Sequence, residues 1–214
     1  HDGSTWLFVE DVGDQRPSET DPEHRVLAAQ WLGLLHGSGA SVVAAARLPD
    51  AGPGRYLSHL RSGRDTIRRN LGNPWLAAED RPVLTGMLEQ LDALESRWPV
   101  LERACHGLPV TLVHGDFRAK NVRIRVTDAS PALFALDWEM AGWGIPAADL
   151  ACACGPGPTV RIDAQTYQET VRGLWGNLDA AVIRRASILG RIFQALASTE
   201  WACASLVSVS DRHL

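Results

Sequence analysis

The chain has 214 residues, 45% of them apolar and 21% charged, which excludes wholesale disorder and is enough to bury one full core. No apolar run approaches the roughly 18 residues that cross a bilayer, and His1-Asp2-Gly3-Ser4 lacks the basic start and apolar stretch of a secretory leader, so the expectation is a cytoplasmic protein without membrane contact. The net charge is −4, Lys120 is the sole lysine among 21 basic residues, and no long basic run exists to attract nucleic acid, whereas the acidic excess is compatible with a cationic ligand.

Thr5-Trp6-Leu7-Phe8-Val9 is an apolar run of strand type that ends at Glu10-Asp11-Val12-Gly13, with loop to Pro17. Thr20 and Glu23 stand at capping-box spacing around Pro22, and Leu27, Trp31, Leu34 and Leu35 share a face, which predicts a helix ending near His36-Gly37. Pro49 to Gly54 is a linker. Helices are expected from about Arg55 to Leu71 and from Ala78 to Arg97, the second stacking Val83, Met87, Leu91 and Leu94. From Pro109 the period becomes that of strands: Val110 to Val113, Val122 to Val126 and Ala132 to Leu136. Helical periodicity returns at about 163–176 and 179–206. The cysteines Cys105, Cys152, Cys154 and Cys203 contain no C-x-x-C pair, which argues against zinc or a disulfide framework and for reduced, packed thiols.

Two of these strands draw a hairpin. With its turn centred near Ala129, antiparallel pairing sets Asn121 opposite Asp137. An amide oxygen beside a carboxylate is a pair of hard ligands suited to a Mg²⁺ that also holds phosphates. Asp116 lies five residues before Asn121, in the loop after the buried-looking strand Thr111-Leu112-Val113. A carboxylate so placed can orient a hydroxyl and take its proton during phosphoryl transfer.

The stretch Leu112-Val113-His114-Gly115-Asp116-Phe117-Arg118-Ala119-Lys120-Asn121-Val122 resembles the catalytic loop of the aminoglycoside phosphotransferase family, small-molecule kinases related in fold to protein kinases. Leu136-Asp137-Trp138-Glu139, running on to Ala148-Asp149-Leu150, is similar to that family's metal-binding segment and the helix start after it. Leu7 to Gly13 is similar to its hinge. The resemblance implies an α+β, protein-kinase-like fold, with residues 1–13 as hinge strand and linker. Residues 14–214 would form a mostly helical C-terminal lobe with a small antiparallel hairpin at the active site.

The resemblance further implies that Asp116 deprotonates the acceptor hydroxyl, Asn121 and Asp137 hold Mg²⁺, Asp149 braces the loop, and backbone at Glu10 and Val12 meets ATP or GTP. It implies O-phosphorylation of a small, hydroxylated, amine-bearing acceptor such as an aminoglycoside or a related antibiotic. A metabolic kinase of choline, a sugar or an amino-sugar is the alternative within enzymes, and a non-catalytic lobe that binds a ligand or partner is the alternative outside them. The family's N-terminal lobe, with its phosphate loop and lysine, is absent upstream, so the expectation is that it belongs to the same longer chain.

His114, at a strand end before Gly115, reads as a packed histidine rather than a base or ligand. Lys120 reads equally as a phosphate contact and as a solvated loop residue. Glu139, Trp143, Glu200 and Trp201 are candidates for the acceptor pocket, since an amine-bearing ligand wants carboxylates and an aromatic platform; a solvated helix face also explains Glu200. Trp138 is expected in the core, and Cys152 and Cys154 as small buried thiols.

Overall fold

A computed structural model describes residues 10–39, 48–126, 130–155, 157–176 and 178–211. The strand expected over Thr5–Val9 and the turn residues 127–129 lie outside the described residues. Helix α1 (Pro22–Gly39) begins where Asp21 Oδ1 accepts the Glu23 N–H at 2.9 Å. Thr20 instead bonds Ser18, at 3.0 Å, so the N-terminal acceptor is one residue later than the capping-box spacing suggests. The buried stripe of α1 is Ala28, Ala29, Leu32 and His36. Leu34, expected on that stripe, is 66% exposed, because the 3.6-residue period carries it to the opposite side.

Helix α2 (Pro53–Asn70) buries Tyr56, Leu60, Gly63 and Ile67 at helical spacing, and starts with a proline whose missing N–H costs nothing in a first turn. Helix α3 (Asp80–Ser96) buries Leu91, with Met87 and Leu94 packed beside it, while Val83 is exposed. A separate helix, α4 (Trp98–Cys105), follows; it is an element the sequence reading did not assign, begun by Pro99 after a break at Arg97. Helix α5 (Ala164–Trp175) is capped by Asp163, whose side chain accepts the Thr166 N–H at 2.8 Å. Helix α6 (Ala180–Asp211) packs on α2.

The strands form two small antiparallel pairs. Strand β1 (Thr111–Val113) pairs with β4 (Gly142–Gly144), and β2 (Val122–Val126) pairs with β3 (Pro131–Ala135). Strand β4 is an element the sequence reading did not assign, and two of its three residues are glycine. Its geometry demands them: a Cβ on Gly144 would lie 2.2 Å from the Ala51 carbonyl carbon. The architecture is thus mostly helical, with a small hairpin beside the loop that leaves β1. No helix among the described residues is long and apolar enough to cross a membrane.

The core joins α1, α2, α5 and α6 to the 145–153 segment. At its centre the fully buried Phe193 ring stacks on Tyr56, with 4.2 Å between centroids. Burial holds the Tyr56 hydroxyl well above its ordinary pKa, with the Asp149 charge adding to the shift, so it stays neutral. Phe193→Ala is expected to cost about 3–5 kcal/mol of stability through lost burial and a residual cavity, which urea unfolding would measure.

Candidate active site

Strand β1 is buried at both ends and delivers His114-Gly115-Asp116 into the interior. Gly115 is required there: its φ is +82°, and a Cβ would lie 2.3 Å from the Met140 carbonyl oxygen. The turn is held by Asp149, which is fully buried. Its Oδ2 accepts the His114 N–H at 2.7 Å and its Oδ1 accepts the Gly115 N–H at 2.8 Å.

His36 of α1 completes the arrangement. Its Nε2 lies 3.2 Å from Asp149 Oδ2 and its Nδ1 lies 2.9 Å from the Tyr167 hydroxyl. A carboxylate only accepts, so Nε2 carries the proton toward Asp149 and Nδ1 takes the hydroxyl hydrogen of Tyr167. Burial pushes the Asp149 carboxyl up, but the His36 hydrogen bond, the two imidazoles beside it and the His114 amide outweigh it and hold the group below its ordinary value of 3.8. Burial, reinforced by the Asp149 charge, keeps Tyr167 protonated. Sequence reasoning missed His36, because a histidine in the last turn of a helix reads as an end signal.

His114 is buried with both ring nitrogens used. Nδ1 accepts the Asp116 N–H at 3.3 Å, and Nε2 donates to the Leu136 carbonyl at 3.0 Å. Trp138 packs against this ring, with centroids 4.8 Å apart, and donates its Nε1–H to Ala135 O at 3.1 Å. It is 42% exposed, so the expectation that it belongs to the core is corrected: its ring covers His114 and Trp31 from the solvent side.

Asp116 is 3% exposed. Its Oδ2 accepts from Asn121 Nδ2 at 2.8 Å and pairs with Lys120 Nζ at 3.1 Å. Asn121 Nδ2 also donates to the Asp116 carbonyl at 3.0 Å, which commits the amide nitrogen inward and leaves the amide oxygen as the atom able to meet a metal. Lys120 is therefore tied to Asp116, though more than half exposed. Arg118 Nε sits 2.6 Å from Asp116 Oδ1, and its guanidinium reaches α6, where Gln194 Oε1 accepts at 2.9 Å and Ser198 Oγ at 2.8 Å. Arg118 and Gln194 were not singled out from sequence. The available signal was a glutamine among the apolar residues of α6, where it is 1% exposed.

The hairpin register differs by one residue from the expected one. Val122 pairs with Ala135, and the Leu136 N–H donates to the Asn121 carbonyl at 2.8 Å, so Asn121 faces Leu136 rather than Asp137. The connection between paired ends is four residues, 127–130, and its centre falls half a residue before Ala129. Asp137 follows directly, with φ 63° and ψ 69°, the one non-glycine residue of positive φ among those described. Aspartate tolerates this left-handed conformation better than most residues, and such backbone concentrates at functional sites. Asp137 is exposed, whereas Asn121 is buried. Among the described residues no three His, Cys, Asp or Glu side chains converge on a point, but two hard oxygen donors suit Mg²⁺, which completes its shell with water and substrate phosphates.

The pocket candidates separate. Glu139 is exposed on the short turn Trp138–Met140. Trp143 is half-buried in β4, its backbone bonded to Pro49 and Ala51 at 2.9 Å. Glu200 pairs with His59 Nδ1 on the rim of a groove of about 440 Å³ that Asp50 and Arg55 also line. Trp201 lies under the Arg118 guanidinium, 5.4 Å from carbon to ring centroid. In the linker, Glu10 Oε1 accepts from Arg125 at 2.7 Å, and Val12 is half-buried. Cys152 is buried, but Cys154 is exposed, contrary to the expectation of a packed thiol.

A helical lobe with a loop of this kind is the architecture of kinase-like proteins. The chain matches Plasmodium vivax ethanolamine kinase with a TM-score of 0.57 at 16% identity, over 94% of this chain and 60% of that one. It matches choline kinase from Cryptosporidium parvum Iowa II at 0.59 and 13%, over 92% and 63%, and a spectinomycin phosphotransferase in complex with ADP and spectinomycin at 0.56 and 12%, over 90% and 58%. At these identities the likeness is one of fold. The APH phosphotransferase enzyme family model matches residues 1–190, and the chain belongs to that family. An 82-residue stretch is 38% identical to mouse acyl-CoA dehydrogenase family member 10, covering 35% of this chain and 8% of that protein. The chain thus spans about 60% of the solved kinases it resembles and a small part of that curated relative.

Asp149→Asn removes a charged acceptor shared by two loop amides and is expected to cost about 2 kcal/mol at neutral pH. Because the folded-state pKa lies below the unfolded one, the carboxylate's contribution is full above the unfolded value and fades as pH falls through the folded one. The stability gap between wild type and variant should therefore shrink as pH drops below about 4, which denaturant titrations at several pH values would read.

Proposed function

We propose that the protein is an ATP- or GTP-dependent O-phosphotransferase acting on a small, amine-bearing alcohol. The observation that carries this reading is the buried carboxylate of Asp116 on the loop after β1, bonded to Asn121 at 2.8 Å and ion-paired with Lys120 at 3.1 Å and Arg118 at 2.6 Å. A carboxylate held in this way beside a metal-bound phosphate can orient a hydroxyl and accept its proton. Asp116 takes the hydroxyl proton, while the Asn121 contact to Oδ2 fixes the carboxylate's orientation. Asn121 and Asp137 would hold Mg²⁺, which when bound neutralises charge on the transferring phosphate. Asp149 and His114 keep the loop in shape, and backbone at Glu10 and Val12 receives the nucleotide base. Little covalent work falls to the protein, so positioning dominates the rate.

The carboxylates of Asp50 and Glu200 at one groove, with Glu139 and Trp143 nearer the metal segment, support a cationic acceptor. An antibiotic such as an aminoglycoside is one such acceptor. A choline- or ethanolamine-type metabolite is the second reading, favoured by the kinases that share this fold. In either case we take residues 14–214 as the C-terminal lobe, with the phosphate loop and its lysine supplied by an N-terminal lobe of the same longer protein. That division predicts a native mass about 10 kDa above the 23.3 kDa of this chain, at roughly 110 Da per residue for about 90 residues.

The test is nucleotide-dependent phosphorylation of choline, ethanolamine and spectinomycin by the full-length protein. Asp116→Asn is expected to abolish transfer while nucleotide affinity stays within about threefold, since the side chain acts on the acceptor. Unchanged turnover would mean that Asp116 is not the base.

A further inference from the structure

We propose that Arg55 is a positioning residue for the metal segment: its guanidinium holds the turn that follows Asp137 and so sets where that carboxylate stands relative to the catalytic loop. The proposal rests on the phosphotransfer reading above. Asp137 keeps a left-handed backbone, φ 63° and ψ 69°, without being glycine. Such a conformation persists only where the chain around it is held. Before Asp137, the Leu136 N–H donates to the Asn121 carbonyl at 2.8 Å, and the Leu136 carbonyl accepts from His114 Nε2 at 3.0 Å. After it, the short turn Trp138–Met140 closes with the Ala141 N–H on the Trp138 carbonyl at 2.9 Å. Arg55 takes the next two carbonyls: Nη1 donates to Met140 O at 2.5 Å and Nη2, more weakly, to Ala141 O at 3.5 Å.

The Met140 carbonyl oxygen is also the atom nearest to where a Cβ on Gly115 would stand, so the carbonyl that Arg55 grips is packed on the turn that delivers Asp116. One guanidinium therefore spaces the metal segment from the catalytic loop. Its own base is fixed apart from both. Arg55 lies in the first turn of α2, where its N–H donates to Gly52 O at 3.2 Å. Just before that turn, residues 49–51 run beside β4, with the Trp143 N–H on Pro49 O and the Ala51 N–H on Trp143 O, each at 2.9 Å. Strand β4 pairs in turn with β1, from which the catalytic loop leaves. A planar fork can serve two successive carbonyls at once, whereas an ammonium is a single point of charge, so lysine replaces arginine here only in part. Arg55 also lines the groove that Asp50 and Glu200 share, which makes an acceptor contact the rival role for it.

The experiment uses the full-length protein with a non-hydrolysable ATP analogue and Mn²⁺ as the metal probe, free Mn²⁺ being read by its EPR signal. Arg55→Met keeps the stem and removes the donors. It should weaken Mn²⁺ in the analogue complex by about 10-fold, the scale of losing a group that orients a metal ligand, while metal-free analogue affinity stays within about threefold. Arg55→Lys should fall between Arg55→Met and wild type, and it carries the test alone if Arg55→Met does not fold. Wild-type Mn²⁺ affinity in these variants overturns the proposal, and a raised acceptor KM beside it would mark Arg55 as an acceptor contact instead. Equal losses of Mn²⁺ and metal-free analogue affinity, the mark of a merely structural residue, overturn it too. All these outcomes leave the phosphotransfer reading standing. A wild-type protein that binds the analogue but takes up no Mn²⁺ with it overturns that reading and this proposal together.

Discussion

Asp149 carries a charge with no exposed surface, and its position constrains the rest of the site. Removing a carboxylate from water is expensive unless donors replace the lost solvent. Here the donors are two consecutive loop amides and a histidine from a helix more than one hundred residues earlier in the chain. The price of burial is met only when β1, α1 and the 145–150 segment are all in place. The same bonds shape the His114-Gly115-Asp116 turn. Rigidity of the loop and cooperativity of the fold therefore have one source.

From that anchor the contacts extend in two directions. Toward the hairpin, His114 holds the Leu136 carbonyl and Leu136 holds the Asn121 carbonyl, so the segment before Asp137 is fixed by the loop's own histidine and strand end. Toward α6, Gln194 bonds the Gly115 carbonyl and the Arg118 guanidinium. A Cβ on Gly190 would lie 1.8 Å from the Ala147 carbonyl oxygen, so α6 approaches the segment before Asp149 as closely as backbone allows. The helix that reaches Trp201 is thereby tied to the loop at several points.

Much of this was legible in the sequence because its signals are local. The helices follow apolar spacing, strand β2 has the bounds its alternation implies, and Asp116 and Asn121, five residues apart, meet within one loop. What was not legible depends on contacts between distant segments. The register was misjudged by one residue because turn geometry, not strand composition, decides it. Strand β4 is hidden by two glycines that exist for close backbone approach. Leu34 and Val83 have the composition of core residues but lie on exposed faces. His36 and Gln194 look like a helix end and a stray polar residue until α1 and α6 bring them to the loop.

The most direct measurement of the central claim is paramagnetic broadening by Mn²⁺ in place of Mg²⁺, in the presence of a non-hydrolysable ATP analogue, read by NMR on the full-length protein. A phosphoryl-transfer site built on this loop predicts that broadening centres on the Asn121 side-chain amide and the Asp137 backbone, and requires the nucleotide. Broadening centred elsewhere, or none at all with the analogue bound, would contradict the account.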